Sequence, residues 1–165
     1  MAEDLEGAMN NILNHLPYKS SFLFVDNITA LDENGVTGDH TLKPEAFFYE
    51  DHFPGNPVTP GVIITEIMAQ IGVVVLGIHL MVTGNGDKNV AMNEGSFPLL
   101  TSTNVEFFKM VLPEEKVIVT SKKQYFRFGK LKCLIEMHNT ANELVAKGTF
   151  AGVIKNAAPK QSING

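Results

Sequence analysis

The chain of 165 residues has no tryptophan and a single cysteine, Cys133. One thiol excludes an internal disulfide and any zinc site built on several cysteines, and it fits a reducing compartment. Positive charge is also scarce. Thirteen Lys and Arg against eighteen Asp and Glu leave a net charge of −5, which argues against nucleic-acid binding by the molecule as a whole. The first residues, MAEDLEGAMNNIL, carry acids where a signal peptide carries positive charge before an apolar run, so a cytoplasmic protein is expected. The sequence lacks G-x-S-x-G, H-E-x-x-H and G-x-x-x-x-G-K, and Gly84-Asn85-Gly86 reads as a turn, not a nucleotide fingerprint.

Charge disappears altogether from Ile67 to Gly86, twenty residues and long enough to span a bilayer. Gln70, His79 and the glycines at 72, 77, 84 and 86 interrupt the run, and Glu66 directly before it would be costly in lipid. A helix apolar on all sides is equally what a soluble protein wraps completely. A wrapped core helix is expected, with no membrane span.

What is present suits a folded domain. Hydrophobic residues make up 44% and charged residues 19%, an ordinary globular balance, and the length suffices for one core. Residues 3–15 read as a short helix with Leu5, Met9, Ile12 and Leu13 on one side, ended by Pro17. Residues 21–32 are rich in β-branched and aromatic side chains, 33–35 supply a turn, and 36–42 alternate as a second strand of a hairpin. Pro44, Pro54, Pro57 and Pro60 make 44–60 mostly loop, with one helical turn at 45–50. The long apolar helix starts near Pro60-Gly61 and runs to about Val82. Five strands are then expected, over 89–100, 101–112, 116–128, 130–140 and 143–154. The sum is an α+β fold in which six or seven antiparallel strands form a curved sheet around one long helix. Residues 1–155 are expected as a single domain and 156–165 as a disordered tail.

Two residues do not suit purely structural segments. His52 sits in a proline-stiffened loop, and Glu66 stands among Ile63, Ile64, Ile67 and Met68, about a turn and a half into the helix. Burial there disfavours the charged carboxylate, so Glu66 is expected to hold its proton and act as an acid. Imidazole changes charge near neutral pH, so His52 is the candidate base. Gly61 at the helix start has an N–H without an intrahelical partner, suited to hold a carbonyl oxygen on which negative charge develops. Gln70, one turn beyond Glu66, can orient its carboxyl. Base, acid and oxyanion donor together describe loss of water β to a carbonyl. His15, His40, His79 and His138 read as structural or exposed.

The stretch HFPGNPVTPGV (52–62) followed by EIMAQ (66–70) resembles the signature of the β-hydroxyacyl-acyl carrier protein dehydratases of the FabA/FabZ group. LPYKSSFLFVD (16–26) is similar to the element that precedes it in FabZ-type members, and weaker similarity extends through 105–119 to about 155. The resemblance implies a hotdog fold and a homodimer, which can assemble further into trimers of dimers. His52 of one subunit would face Glu66 of the other, which explains why the two need not meet within one chain. Gly61 would supply the oxyanion N–H, Gln70 would support Glu66, and Phe53 and Val58 would shape the pocket. No metal or organic cofactor is implied. The expected substrate is a 3-hydroxyacyl thioester on acyl carrier protein, dehydrated to the trans-2-enoyl product in fatty-acid synthesis or a specialised acyl or polyene pathway. Glu66, where an isomerising subgroup has aspartate, leans toward dehydration alone. A hotdog acyl thioesterase and a non-catalytic acyl-binding subunit of a synthase complex are the competing functions.

The chain departs from the family at KSSF (19–22), where RYPF is usual, at VEFFKMV (105–111), where ARFKRPV is usual, and at LTST (100–103). Carrier proteins are acidic. Lys109, Lys116, Lys122, Lys123, Arg127, Lys130 and Lys132 face only Glu114 and Glu115 between 109 and 132. They fit either a docking surface for such a partner or a soluble sheet face.

Overall fold

A computed structural model describes residues 2–84 and 95–155, with side chains from Leu5 onward. The expected tail, and the start of the strand expected over 89–100, lie outside the described residues.

Helix α1 (Ala2–Asn14) buries Ile12 and packs Met9 and Leu13 against the core, as their spacing predicts. Strands β1 (Asn27–Leu31) and β2 (Gly35–Thr41) form the hairpin, and the Asp32 side chain fixes its turn by accepting from the Asn34 and Gly35 N–H groups. A Cβ on Gly35 would lie 2.2 Å from the Ser121 carbonyl oxygen, so only glycine lets β2 approach the neighbouring strand this closely. The helix over Gly61–Val82 is continuous and comprises α2 (Gly61–Ala69), a wider π-turn (Gln70–Val75) and α3 (Leu76–Val82). Four further strands follow: β3 (Phe97–Phe107), β4 (Lys116–Arg127), β5 (Lys130–Asn139) and β6 (Leu144–Lys155).

All six strands join one antiparallel sheet in the order β1-β2-β4-β5-β6-β3. The inward face of β5 is a period-two series, Leu131, Cys133, Ile135 and Met137, each buried. The central helix meets it at Gly72 and Gly77, which face Ile135 and Leu131, and its Ile67, Met68, Ile71, Val75, Leu76 and Leu80 have no exposed surface in the same core. The helix is apolar and long enough to cross a membrane, but 72% of its most apolar window is buried within the protein, and it is the core helix of the sheet. This is the hotdog arrangement, α+β as expected. At the π-turn the buried Ser121 hydroxyl donates to the Gly72 carbonyl at 2.8 Å, tying β4 to the irregular winding.

Three local expectations are corrected. The first strand begins at Asn27, not 21, because Ser20–Phe22 is a short 3-10 turn and the backbone of Phe22 and Phe24 bonds to the Gln70 side chain instead of a ladder. No helical turn forms over 45–50, where the chain makes successive turns. The break expected between strands over 89–100 and 101–112 is absent from the described residues, where Phe97–Phe107 is one strand. It lies at the sheet edge with both faces largely exposed, so it lacks the alternation that marks a half-buried strand.

Candidate active site

The loop before the central helix builds the surroundings of His52 from its own backbone. The His52 N–H donates to the Phe48 carbonyl, and the Val58 N–H donates back to the His52 carbonyl. Phe53 and Asn56 exchange two backbone bonds around Gly55, whose φ of +72° requires a residue without Cβ strain. The loop is fastened below by Tyr49 Oη and Thr59 Oγ1, 2.6 Å apart and buried, and by Thr59 N–H to the Val111 carbonyl. Within this frame His52 Nδ1 lies 2.8 Å from the Val58 carbonyl oxygen. A carbonyl only accepts, so Nδ1 carries the proton and Nε2 of the neutral ring keeps its lone pair. Phe53 stacks on the imidazole with ring centroids 4.2 Å apart and is itself 54% exposed.

Glu66 is half-buried on the helix, and burial raises its pKa above the ordinary carboxylate value, partly offset by the bond from Gln70. Gln70 is fully buried. Its Nε2 donates to Glu66 Oε1 and to the Phe22 carbonyl, both at 2.9 Å, and its Oε1 accepts from the Phe24 N–H at 2.9 Å. The amide is thereby fixed in one orientation and holds the carboxyl in turn. Gly61 opens the helix, exposed, with the Phe107 ring alongside its Cα.

Beyond Glu66 the helix borders a cavity of about 190 Å³, lined among others by Tyr18, Ala69, Val73, Gly77, Phe126 and Leu131. Glu66 and Gln70 are brought together here; His52, Phe53 and Val58 share the loop. His52 does not line this cavity. The sequence reading passed over Tyr18, which is half-buried beside Glu66. Burial first, and the Glu66 charge second, push its phenol above the usual range, so it remains an O–H donor. His15, read as structural or exposed, also lines the cavity, with Nδ1 held 2.6 Å from the Asn11 carbonyl. His40 is structural as expected, buried with Nδ1 3.2 Å from Asp26 Oδ1. Among the described residues no three His, Cys, Asp or Glu side chains gather as a metal site.

Comparison with known proteins agrees with this architecture. The FabA-like domain matches residues 16–140, and the chain belongs to that family. It is 29% identical over 153 residues to the 3-hydroxyacyl-[acyl-carrier-protein] dehydratase FabZ of Caldicellulosiruptor saccharolyticus, covering 89% of this chain and 98% of that enzyme. It is 37% identical over 113 residues to the bifunctional enzyme LpxC/FabZ of Chlorobaculum tepidum, covering 67% of this chain but only 22% of that protein. Among solved structures, the dehydratase heterocomplex ApeI:P of Xenorhabdus doucetiae shares the fold with a TM-score of 0.67 at 14% identity, over 88% of this chain and 91% of that one. A hypothetical thioesterase of Streptococcus pneumoniae, solved with coenzyme A, shares it with a TM-score of 0.55 at 10% identity, over 81% and 88%.

Proposed function

We propose that the protein removes water from a 3-hydroxyacyl thioester carried on an acyl carrier protein, leaving the trans-2-enoyl thioester. The observation that carries this reading is the pairing of two half-sites: an imidazole whose Nδ1 is engaged by the Val58 carbonyl, which leaves Nε2 as the nitrogen to take a proton, and a carboxyl that Gln70 orients and burial shifts toward its protonated form. Membership of the FabA-like family and the names of the relatives support it.

In this reading the thioester oxygen rests against the Gly61 N–H. His52 Nε2 takes a proton from the carbon next to the carbonyl, and the electrons of that bond form the new double bond. The bond to the β-hydroxyl breaks as Glu66 gives its proton to the departing oxygen, and water leaves. Return of the proton from His52 to Glu66 through solvent resets the site. Phe53, stacked on the imidazole, and Val58, which orients it, shape the pocket around the reacting carbons.

In this reading the site is completed by a second copy, His52 of one protomer facing Glu66 of its partner, which accords with His52 lying outside the cavity that Glu66 borders. A homodimer, assembling further into trimers of dimers, fits the apolar surface left uncovered at Val62 and Met110, 76% and 73% exposed, and along the edge strand β3. For the acidic carrier, Lys122, Lys123, Arg127, Lys130 and Lys132 make no salt bridge among the described residues, whereas Lys109 and Lys116 pair with Glu143 and Asp39. A cytoplasmic setting belongs to the same reading.

Incubation with a 3-hydroxyacyl carrier thioester is expected to give enoyl absorbance, and His52→Ala and Glu66→Ala are each expected to lower kcat by about 10²–10⁴. Free thiol released without enoyl product would instead assign a thioesterase. No turnover at any chain length by the folded wild-type dimer would point to an acyl-binding subunit.

A further inference from the structure

Glycine inside a helix is the poorest residue short of proline, so each one in the central helix invites a reason. Gly61 is the first helical residue. Gly72 has a packing reason, since a Cβ there would meet Ile135 Cδ1 at 2.3 Å. Gly77 has neither. It sits in ordinary helical backbone in α3, and an added Cβ would touch only Leu131 Cδ2, at 3.7 Å, an ordinary contact. It is buried within its own chain, so a partner subunit is not what keeps the position small.

What Gly77 does border is the cavity that begins at Glu66. Glu66, Ala69, Val73 and Gly77 form one stripe of that cavity, with Leu131 and Phe126 of the sheet opposite. Gly77 is eleven residues beyond the carboxyl, about 16 Å along the helix at 1.5 Å per residue. On the stripe only Ala69 and Val73 lie between them, both apolar, and nothing polar on it would solvate a ligand beyond Glu66. A trough of this kind suits an unbranched hydrocarbon whose reactive end lies at the carboxyl.

We propose that Gly77 sets the length of acyl chain the site accepts, its missing side chain leaving room for the far methylenes of medium and long substrates. This rests on the dehydratase reading and deepens it. A leucine at 77 would occupy the space of two or three methylenes. Each methylene denied burial forfeits roughly fourfold in affinity, so the longest chains should lose roughly fifteen- to sixtyfold.

The test compares wild type, Gly77→Ala, Gly77→Val and Gly77→Leu on 3-hydroxybutyryl, 3-hydroxydecanoyl and 3-hydroxymyristoyl carrier thioesters. The expected result is a graded fall in kcat/KM for the two longer chains, carried mainly by KM, with the butyryl value within about twofold of wild type. Equal losses at all three lengths, or unchanged use of the longest chain by Gly77→Leu, would overturn the proposal. Gly77→Ala keeps the test sound if the larger variants fold poorly. Binding of decanoate, measured by calorimetry on wild type and Gly77→Val, requires no turnover. Weaker binding to the variant supports the role of Gly77 even if wild type dehydrates nothing, and equal binding refutes it.

Discussion

In the proposed mechanism Glu66 joins the chemistry to the stability of the fold. Its carboxyl is pushed above the ordinary value of 4.5 by burial, so the folded state prefers the protonated form. The corresponding stabilisation is full below the unfolded pKa and is lost as pH rises through the folded one. Gln in its place does not titrate. The melting temperature of Glu66→Gln is therefore expected to gain on wild type between about pH 4 and about pH 8, read from thermal denaturation at both values. An equal difference at the two pH values would mean that the carboxyl ionises as it does in water. Gln70 acts at the same scale. Gln70→Leu strands the Phe24 N–H and the Phe22 carbonyl and frees Glu66, so it should destabilise by about 2–3 kcal/mol and lower kcat, measured by urea unfolding and steady-state rates.

At the scale of elements, the central helix carries two glycines of opposite expected sign. Gly72→Ala drives a methyl against Ile135 and should destabilise by about 1–3 kcal/mol. Gly77→Ala meets only an ordinary contact with Leu131 and should stabilise by about 0.4–1 kcal/mol through the unfolded chain. Chemical denaturation of both variants checks the contrast. The elements also show what a single sequence makes legible. Strands β4, β5 and β6 and the long helix follow from residue types alone, because the alternation of Leu131, Cys133, Ile135 and Met137 and the uncharged run after Glu66 report burial directly. The segment from Leu23 to Asp26 has strand composition, yet Gln70 takes the Phe24 N–H within it and the Phe22 carbonyl just before it from 46 and 48 residues away, contacts no local pattern announces. Tyr18 escaped for the same reason, since its place beside Glu66 exists only once the N-terminal segment folds over the helix. His52 and Glu66 were legible because each is the wrong residue type for an inert loop or an apolar helix.

At the scale of the whole molecule, the proposed division of the site between two protomers has a quantitative consequence. When inactive His52→Ala and Glu66→Ala dimers exchange subunits in equal amounts, half the dimers are mixed and each holds one intact site of two, so about a quarter of wild-type activity should return. No recovery after verified exchange would show that both residues act from one chain. The fold supplies its own instrument for a different question. Cys133, the chain's one thiol, has no exposed surface on β5, and burial pushes its pKa up to about 11. Alkylating reagents can therefore reach it only when the strand parts from the helix. The rate at which native protein takes up such a label is a clock for the opening of its core.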